Sequence, residues 1–290
     1  MAVLGSRVGH HVRVAERDGY LLIDAGDGRR LERFGEHIID RPAPMALEPR
    51  QSSTAWERAD LRFDRYLGWE GSAAADADPT PWILDESGLR LELRATESGQ
   101  VGFFPEQAGF WAWFHDRIAE HPGGAILNLF AYTGATTLAI AREGAEVVHV
   151  DASRPAVAWA RRNAELSGLA DRPIRWIVDD AEAFVRRETR RGRRYDGIVL
   201  DPPSYGHPPT GRGQRLDERL DGLLDACATA ATDDAFLLMT THTPNLDAGT
   251  LAELVNDRFG GRAAESGDLD LIAESGAILS LGAYARIIRR

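Results

Sequence analysis

The sequence predicts an α/β fold: a mainly parallel, doubly wound sheet with a small β-containing appendage at its N-terminal end. Two observations carry this. From Ile126 onward, short apolar runs alternate with helix-prone segments, the order of a parallel sheet whose crossovers are helices. Residues 20–70 instead hold short strand-like runs around a strong turn signal.

Composition sets outer bounds. A chain of 290 residues, 43% of them hydrophobic, has room for one large domain and a smaller unit. Its one cysteine, Cys227, excludes an intrachain disulfide framework and fits a reducing compartment. No signal-peptide pattern and no apolar run of membrane-spanning length occur, so the expectation is a soluble cytoplasmic protein. The net charge of −11 weighs against broad nucleic-acid affinity but leaves room for a local basic patch. There is no lysine, so every strong positive charge is an arginine.

In chain order, residues 1–18 are polar and weakly patterned and are expected to form a mobile terminus. Tyr20 to Ile23 and Arg30 to Ile39 read as strands about Asp24-Ala25-Gly26-Asp27-Gly28. Ser72 to Pro81 reads as a linker. Leu89 to Arg94 alternates like a strand, and Ala108 to Glu120 takes helical spacing. The boundary is therefore set at 88/89, with residues 1–88 the appendage and 89–290 the main domain.

The pattern then regularises. Strands are expected at Ile126 to Phe130, Val147 to Val150, Ile174 to Val178, Tyr195 to Leu200 and Ala235 to Thr240. Helices are expected at Ala135 to Glu143, Pro155 to Ser167, Ala181 to Arg191, Leu216 to Thr229 and Leu251 to Phe259. Leu269 to Ile272 and Ala277 to Ile288 are read as a closing antiparallel pair.

Ligands of such sheets sit at the carboxyl ends of the strands. Four consecutive ends carry Tyr132-Thr133-Gly134, Asp151, Asp179-Asp180 and Asp201-Pro202-Pro203. Aspartate before a helix also serves as a plain N-cap, which stays open for Asp151 and Asp180. A dinucleotide turn has three glycines where only Gly134 stands here, so an adenosine ligand without phosphates fits better. Asp151 suits the ribose hydroxyls, Asp180 the adenine amino group, and Asn128 with the amides near Gly134 the amino-acid part. Asp201-Pro202-Pro203 forms a stiff, donor-poor turn suited to a planar acceptor, on which Tyr205 can stack.

NLFAYTG, VDAS, DDA and DPPSYG, in this order, resemble class I S-adenosylmethionine-dependent methyltransferases. More narrowly they resemble the bacterial group acting on large-subunit ribosomal RNA at cytosine carbon-5 or guanine N7. The likeness runs from about Leu89 to Arg290 and includes Gly102 to Gln107; the N-terminal part does not resemble the RNA-binding PUA domain of some members. It implies a Rossmann-like, seven-stranded methyltransferase sheet and S-adenosyl-L-methionine as cofactor. Implied cofactor contacts are Phe104, Gln107, Asn128, Phe130, Tyr132, Thr133, Gly134, Asp151, Ala152, Ser153, Asp180 and Ala181. Asp201, Pro202, Pro203 and Tyr205 are implied to face the methyl acceptor. Asp179 competes with Asp180 for the adenine role; Asp180 is preferred because it directly precedes the helix.

Methylation of a pyrimidine carbon ordinarily needs a cysteine thiolate that adds to the ring. Cys227 falls inside a predicted helix and reads as packing, and neither Asp201 to Ser204 nor Met239 to Pro244 holds a cysteine. A nucleobase nitrogen, which brings its own lone pair, is the expected acceptor, within ribosomal RNA as partner. Arg212 and Arg215, followed by Arg219, are expected to contact substrate phosphate at the mouth. The denser run from Arg186 to Arg194 lies at the other end of its helix and reads as a solvated, dipole-complementing face. His207 and His242 are placed near the mouth. No histidines have metal-ligand spacing, and neither a metal nor a membrane partner is expected. Rival readings are a methyltransferase of small molecules or proteins, a non-catalytic S-adenosylmethionine-binding module and a nicotinamide oxidoreductase.

Overall fold

The structure, a computed structural model, describes residues 19–71, 81–204, 216–244, 246–260 and 263–289, with the side chains of 216–219 left out. The expected mobile terminus and most of the expected linker lie outside the described residues.

The N-terminal unit is a five-stranded sheet in the order β1-β2-β3-β4-β5. Its elements are β1 (Tyr20–Gly26), β2 (Arg29–Phe34), β3 (His37–Pro42), α1 (Ser53–Trp56), β4 (Leu61–Asp64) and β5 (Gly68–Gly71). Asp27 and Gly28 turn between β1 and β2 with φ of 52° and 73°, a two-residue turn whose twist matches the strands it joins. Arg30 to Ile39, read as one strand, is two: Phe34 pairs with His37 across a second tight turn at Gly35 and Glu36. Adjacent residues are buried on both sides of that turn, Leu31-Glu32 and Ile38-Ile39, so no simple alternation marks where one strand ends and the next begins.

A hairpin follows, β6 (Trp82–Glu86) and β7 (Leu89–Leu93). Its turn, Ser87-Gly88, holds the 88/89 boundary set from sequence. The region expected as one helix from Ala108 is a short helix α2 (Pro105–Ala108) and a longer one, α3 (Trp111–Glu120). Pro105 starts α2 at a position where its missing N–H is not needed, and the break at Gly109 and Phe110 buries the Phe110 ring completely.

The main sheet is built by β8 (Ala125–Leu129), α4 (Ala135–Arg142), β9 (Glu146–Asp151), α5 (Arg154–Leu166), β10 (Ile174–Val178), α6 (Ala181–Arg190) and β11 (Tyr195–Leu200). It continues through α7 (Leu216–Ala230), β12 (Ala231–Thr241), α8 (Ala248–Phe259), β13 (Glu265–Ile272) and β14 (Ile278–Ile288). The seven strands run in the order β10-β9-β8-β11-β12-β14-β13. The first five are parallel, and β14, antiparallel to both neighbours, inserts between β12 and β13. The antiparallel strand is thus one in from the edge, and the edge strand β13 runs with the majority.

Strand order reverses at β8, with β9 on one side and the parallel β11 on the other, which opens a crevice at the carboxyl ends of β8 and β11. The two sheets share one apolar core: Leu22, Phe34 and Ile39 pack in the same cluster as Ile126, Val147 and Leu238. Polar ties add to it. Ser275 Oγ donates to Asp24 (2.7 Å), Trp69 Nε1 to the Thr96 carbonyl (2.7 Å) and Trp159 Nε1 to the Glu92 carbonyl (2.8 Å). Among the described residues no helix is long and apolar enough to cross a membrane.

Candidate active site

After β8 the chain makes three left-handed residues within five: Phe130 (φ 56°), Tyr132 (φ 50°) and Gly134 (φ 86°). Two of them carry side chains, a conformation that costs on the order of 1 kcal/mol or more each and persists only where surroundings enforce it. Here they do. Tyr132 N–H donates to Asp151 Oδ2 (2.8 Å), Ala131 N–H to the Val150 carbonyl (3.1 Å) and Thr133 Oγ1 to the Gly102 carbonyl (2.6 Å). Asn163 Nδ2 donates to the Thr133 carbonyl at 2.9 Å. Gly134 is needed twice over, since a Cβ there would stand 2.9 Å from Ala160 Cβ as well as being strained.

The strand ends meet at one open cavity of about 660 Å³. Phe104, Gln107, Asn128, Phe130, Tyr132, Thr133, Gly134, Asp151, Ala152, Ser153, Asp180, Asp201, Pro202 and Pro203 all line it. Ala181 does not: it turns into the core beneath β9 and β11. Tyr205, Arg212, Arg215 and His207 lie outside the described residues, as does the Arg219 side chain.

The carboxylates divide their work. Ser153, not Asp151, caps α5, accepting from Ala156 N–H at 3.2 Å. Asp151 accepts from Tyr132 N–H through one oxygen and from Ser153 N–H through the other, each at 2.8 Å. Asp180 does cap α6 through Oδ1, at 2.9 Å from Ala183 N. Asp179 is paired with Arg187 and accepts from Asp180 N–H, so Asp180 is the one of the two at the cavity.

Beneath the loop lies a buried polar chain. Asn128 Nδ2 donates to Thr137 Oγ1 (2.8 Å), which sits 2.9 Å from His149 Nδ1. Burial, aided by Arg161, pushes the His149 pKa down to about 3, so this imidazole is neutral.

On the acceptor side Asp201 stands on a relay. Gln107 Nε2 donates to Thr240 Oγ1 (3.0 Å), and Thr240 donates to Asp201 Oδ1 (2.7 Å). His242 lines the same wall. Its Nδ1 faces the Leu281 carbonyl at 2.9 Å, which makes Nδ1 the donor, because a carbonyl only accepts. Its Nε2 lies 3.5 Å from Glu106 Oε1 and 3.7 Å from Asp201 Oδ1. Burial pushes the His242 pKa down, but the Asp201 and Glu106 carboxylates outweigh it and hold it up at about 9. Burial raises the Glu106 carboxyl, against the pull of His242. Phe104 bridges the two sides, its ring centroid 5.3 Å from Tyr132 and 6.2 Å from His242.

Sequence reasoning placed His242 near the mouth but missed Glu106 and Thr240. Glu106 lies within the Gly102 to Gln107 segment, which was the available signal; Thr240 lies near the end of β12 and carries no motif.

Two exclusions follow. Among the described residues no arginine lines the cavity, whereas Asp151, Asp180 and Asp201 do, so these walls suit a cationic ligand better than a pyrophosphate. Cys227 is fully buried in α7, with its thiol pushed up to about 12 by burial, so no cysteine of this chain serves the cavity.

Residues 108–208 match the family model described as conserved hypothetical protein 95. The chain is 29% identical over 155 residues to a ribosomal RNA large subunit methyltransferase I of Aeromonas salmonicida, covering 52% of this chain and 38% of that one. It is 29% identical over 188 residues to the protein of the same name from Pseudoalteromonas translucida, covering 63% and 45%. The chain thus spans less than half the length of these two relatives. A solved S-adenosylmethionine-dependent methyltransferase from Agrobacterium tumefaciens is 35% identical and superposes with a TM-score of 0.83 over 93% of this chain and 90% of that one. With that identity over nearly the whole of both chains, on the seven-stranded sheet described above, this chain belongs to the S-adenosylmethionine-dependent methyltransferases.

Proposed function

We propose that the protein methylates a nucleobase nitrogen of ribosomal RNA. The observation that carries this reading is Asp201-Pro202-Pro203 across the cavity from the Tyr132–Gly134 loop, with no thiol in reach. Names borne by the curated relatives supply the RNA class.

S-adenosylmethionine, when bound, supplies an electrophilic methyl carbon on a cationic sulfur. Phe130, Tyr132, Thr133, Gly134 and Asn128 hold the amino-acid end, with Phe104 and Gln107 closing that wall. Asp151, Ala152 and Ser153 take the ribose, and Asp180 takes the adenine. The three cavity carboxylates complement the positive charge. Asp201 has Oδ1 engaged by Thr240, which leaves Oδ2 to accept an N–H of the acceptor base and align its lone pair. Pro202 and Pro203 form a wall that offers no competing donor. Tyr205 supplies the stacking ring, and Arg212 and Arg215 contact phosphate. In this scheme residues 89–290 carry the chemistry and residues 1–88 form a separate functional unit.

Transfer of labelled methyl to unmodified large-subunit ribosomal RNA tests the reading, with mass analysis of the product nucleoside. The expected product is an N-methylated base, and Asp201→Ala should cut transfer by about 1,000-fold with donor affinity retained. A carbon-5 methylpyrimidine, or transfer only to protein or small molecules, overturns it.

A further inference from the structure

The turn between β4 and β5 carries Arg65, Tyr66 and Leu67, all exposed, with Tyr66 95% and Leu67 72% accessible. This tip is built, not slack. Asp64 Oδ1 accepts the N–H groups of Tyr66 (2.8 Å) and Leu67 (3.1 Å), and these amides hold its carboxyl below the usual range. An ordered backbone that presents a tyrosine ring to water is a stacking platform without a partner.

Beside the tip lies a cleft of about 370 Å³, lined by Arg65, Arg30, Arg41, Glu97 and the Ser98–Gln100 turn. Arg41 is buried and fixed: Nε and Nη2 donate to Glu32 at 2.8 and 2.6 Å, and Nη1 donates to the Gly99 carbonyl at 3.1 Å. Arg30 shares the same carboxylate, with Nε 3.2 Å from it but not aligned to donate. Two guanidiniums therefore lean on one carboxylate, and the third, Arg65, is exposed at the rim. Gln100 lines both this cleft and the methyl-donor cavity, so the two lie no more than one residue apart.

The other arginine concentration is badly placed for substrate. Arg193 and Arg194, with Arg172 and Arg175, border a depression at the starts of β8, β9, β10 and β11, the end of the sheet opposite the cavity. Arg186, Arg187 and Arg191 are paired with Glu182, Asp179 and Glu188.

We propose that the β4–β5 tip and the Arg30–Arg41 cleft form a docking surface for single-stranded RNA: Arg65 and the cleft receive a backbone phosphate, and Tyr66 stacks on a base next to the one entering the cavity. An unpaired strand is the occupant that uses both features, since its bases expose a face for an aromatic ring while its phosphates follow a basic groove. The proposal rests on the reading that the acceptor is RNA, and it gives the N-terminal sheet a part in that function.

The test uses the full chain and unmodified large-subunit ribosomal RNA, with binding measured at several salt concentrations, methyl transfer at steady state and donor affinity by calorimetry. Arg65→Ala is expected to lower the salt dependence of RNA affinity by about one counterion. Tyr66→Ala should weaken RNA binding and raise KM for RNA by about 10-fold, with donor affinity and melting temperature unchanged. Arg65→Lys and Tyr66→Phe should restore most of each loss. Wild-type protein that binds and methylates RNA, beside alanine variants that match it in affinity and salt slope, overturns the docking surface and leaves the function standing. Wild-type protein with no salt-sensitive RNA affinity and no transfer to RNA overturns both.

Discussion

The donor wall and the acceptor wall of the cavity are made in different ways. The donor wall is local: Phe130 to Gly134, Asp151 and Asp180 stand at the ends of adjacent strands, and main-chain groups form most of its contacts. The acceptor wall is assembled from distant parts. Asp201 is carried on Thr240 and Gln107, and His242 is set between Glu106, Asp201 and the Leu281 carbonyl. Backbone geometry shapes one wall, and a side-chain relay shapes the other. Donor-wall substitutions are therefore expected to damage donor binding and stability together, and substitutions in the relay under Asp201 to damage turnover with donor binding retained.

The sharpest probe is Asp151→Ala. It removes the acceptor of Tyr132 N–H and the proposed ribose contact at once, so donor affinity by calorimetry should fall by about 100-fold or more. Donor affinity equal to wild type would dissolve the distinction between the walls.

Gly134→Ala comes next. Its Cβ meets Ala160 in a backbone conformation already at φ 86°, so chemical denaturation should show a loss of about 2 kcal/mol, accompanied by weaker donor binding.

The buried His149 and the half-buried His242 should give the walls opposite pH responses. His149 lies behind the donor wall with its pKa depressed to about 3 from an unfolded value near 6.5. Its contribution is present above about pH 6.5 and is lost as pH falls toward 3, so stability at pH 5 should drop by about 2 kcal/mol. His149→Gln should flatten that limb. His242 is raised to about 9, so its contribution is present below about pH 6.5 and is lost as pH climbs through 9. Denaturant titrations across this range, on wild type and His242→Asn, measure both limbs.

The mildest expected effect separates positioning from binding. Thr240→Val breaks the relay under Asp201 and should lower kcat by about 10-fold while leaving donor affinity and KM for the acceptor near wild type. A matching fall in donor affinity would show that the relay supports both walls.

Much of the main domain was legible because it is periodic. Four of the parallel strands, β8 to β11, end in a turn or an acidic residue, and Gly134, Asp151, Asp180 and Asp201 all line one cavity. The N-terminal unit was less so. Arg30 to Ile39 has no regular alternation whose interruption would mark the break at Gly35, and β6 went unread beside the linker-like stretch that precedes it. Ala181 shows the opposite error, a motif position whose side chain faces the core.

What the sequence determined by itself is the order of the strands' chemistry and the lack of a thiol for the cavity. Both follow from local periodicity and chain-wide composition. Only the tertiary structure decided that Gln107 reaches Thr240 across 133 residues, and that Thr240 reaches Asp201 across 39. The same is true of the arginine cleft of the N-terminal sheet, which shares Gln100 with the methyl-donor cavity. Such contacts depend on which faces the shared core brings together. A hydrogen bond between residues so far apart leaves no period or spacing in the chain that could announce it.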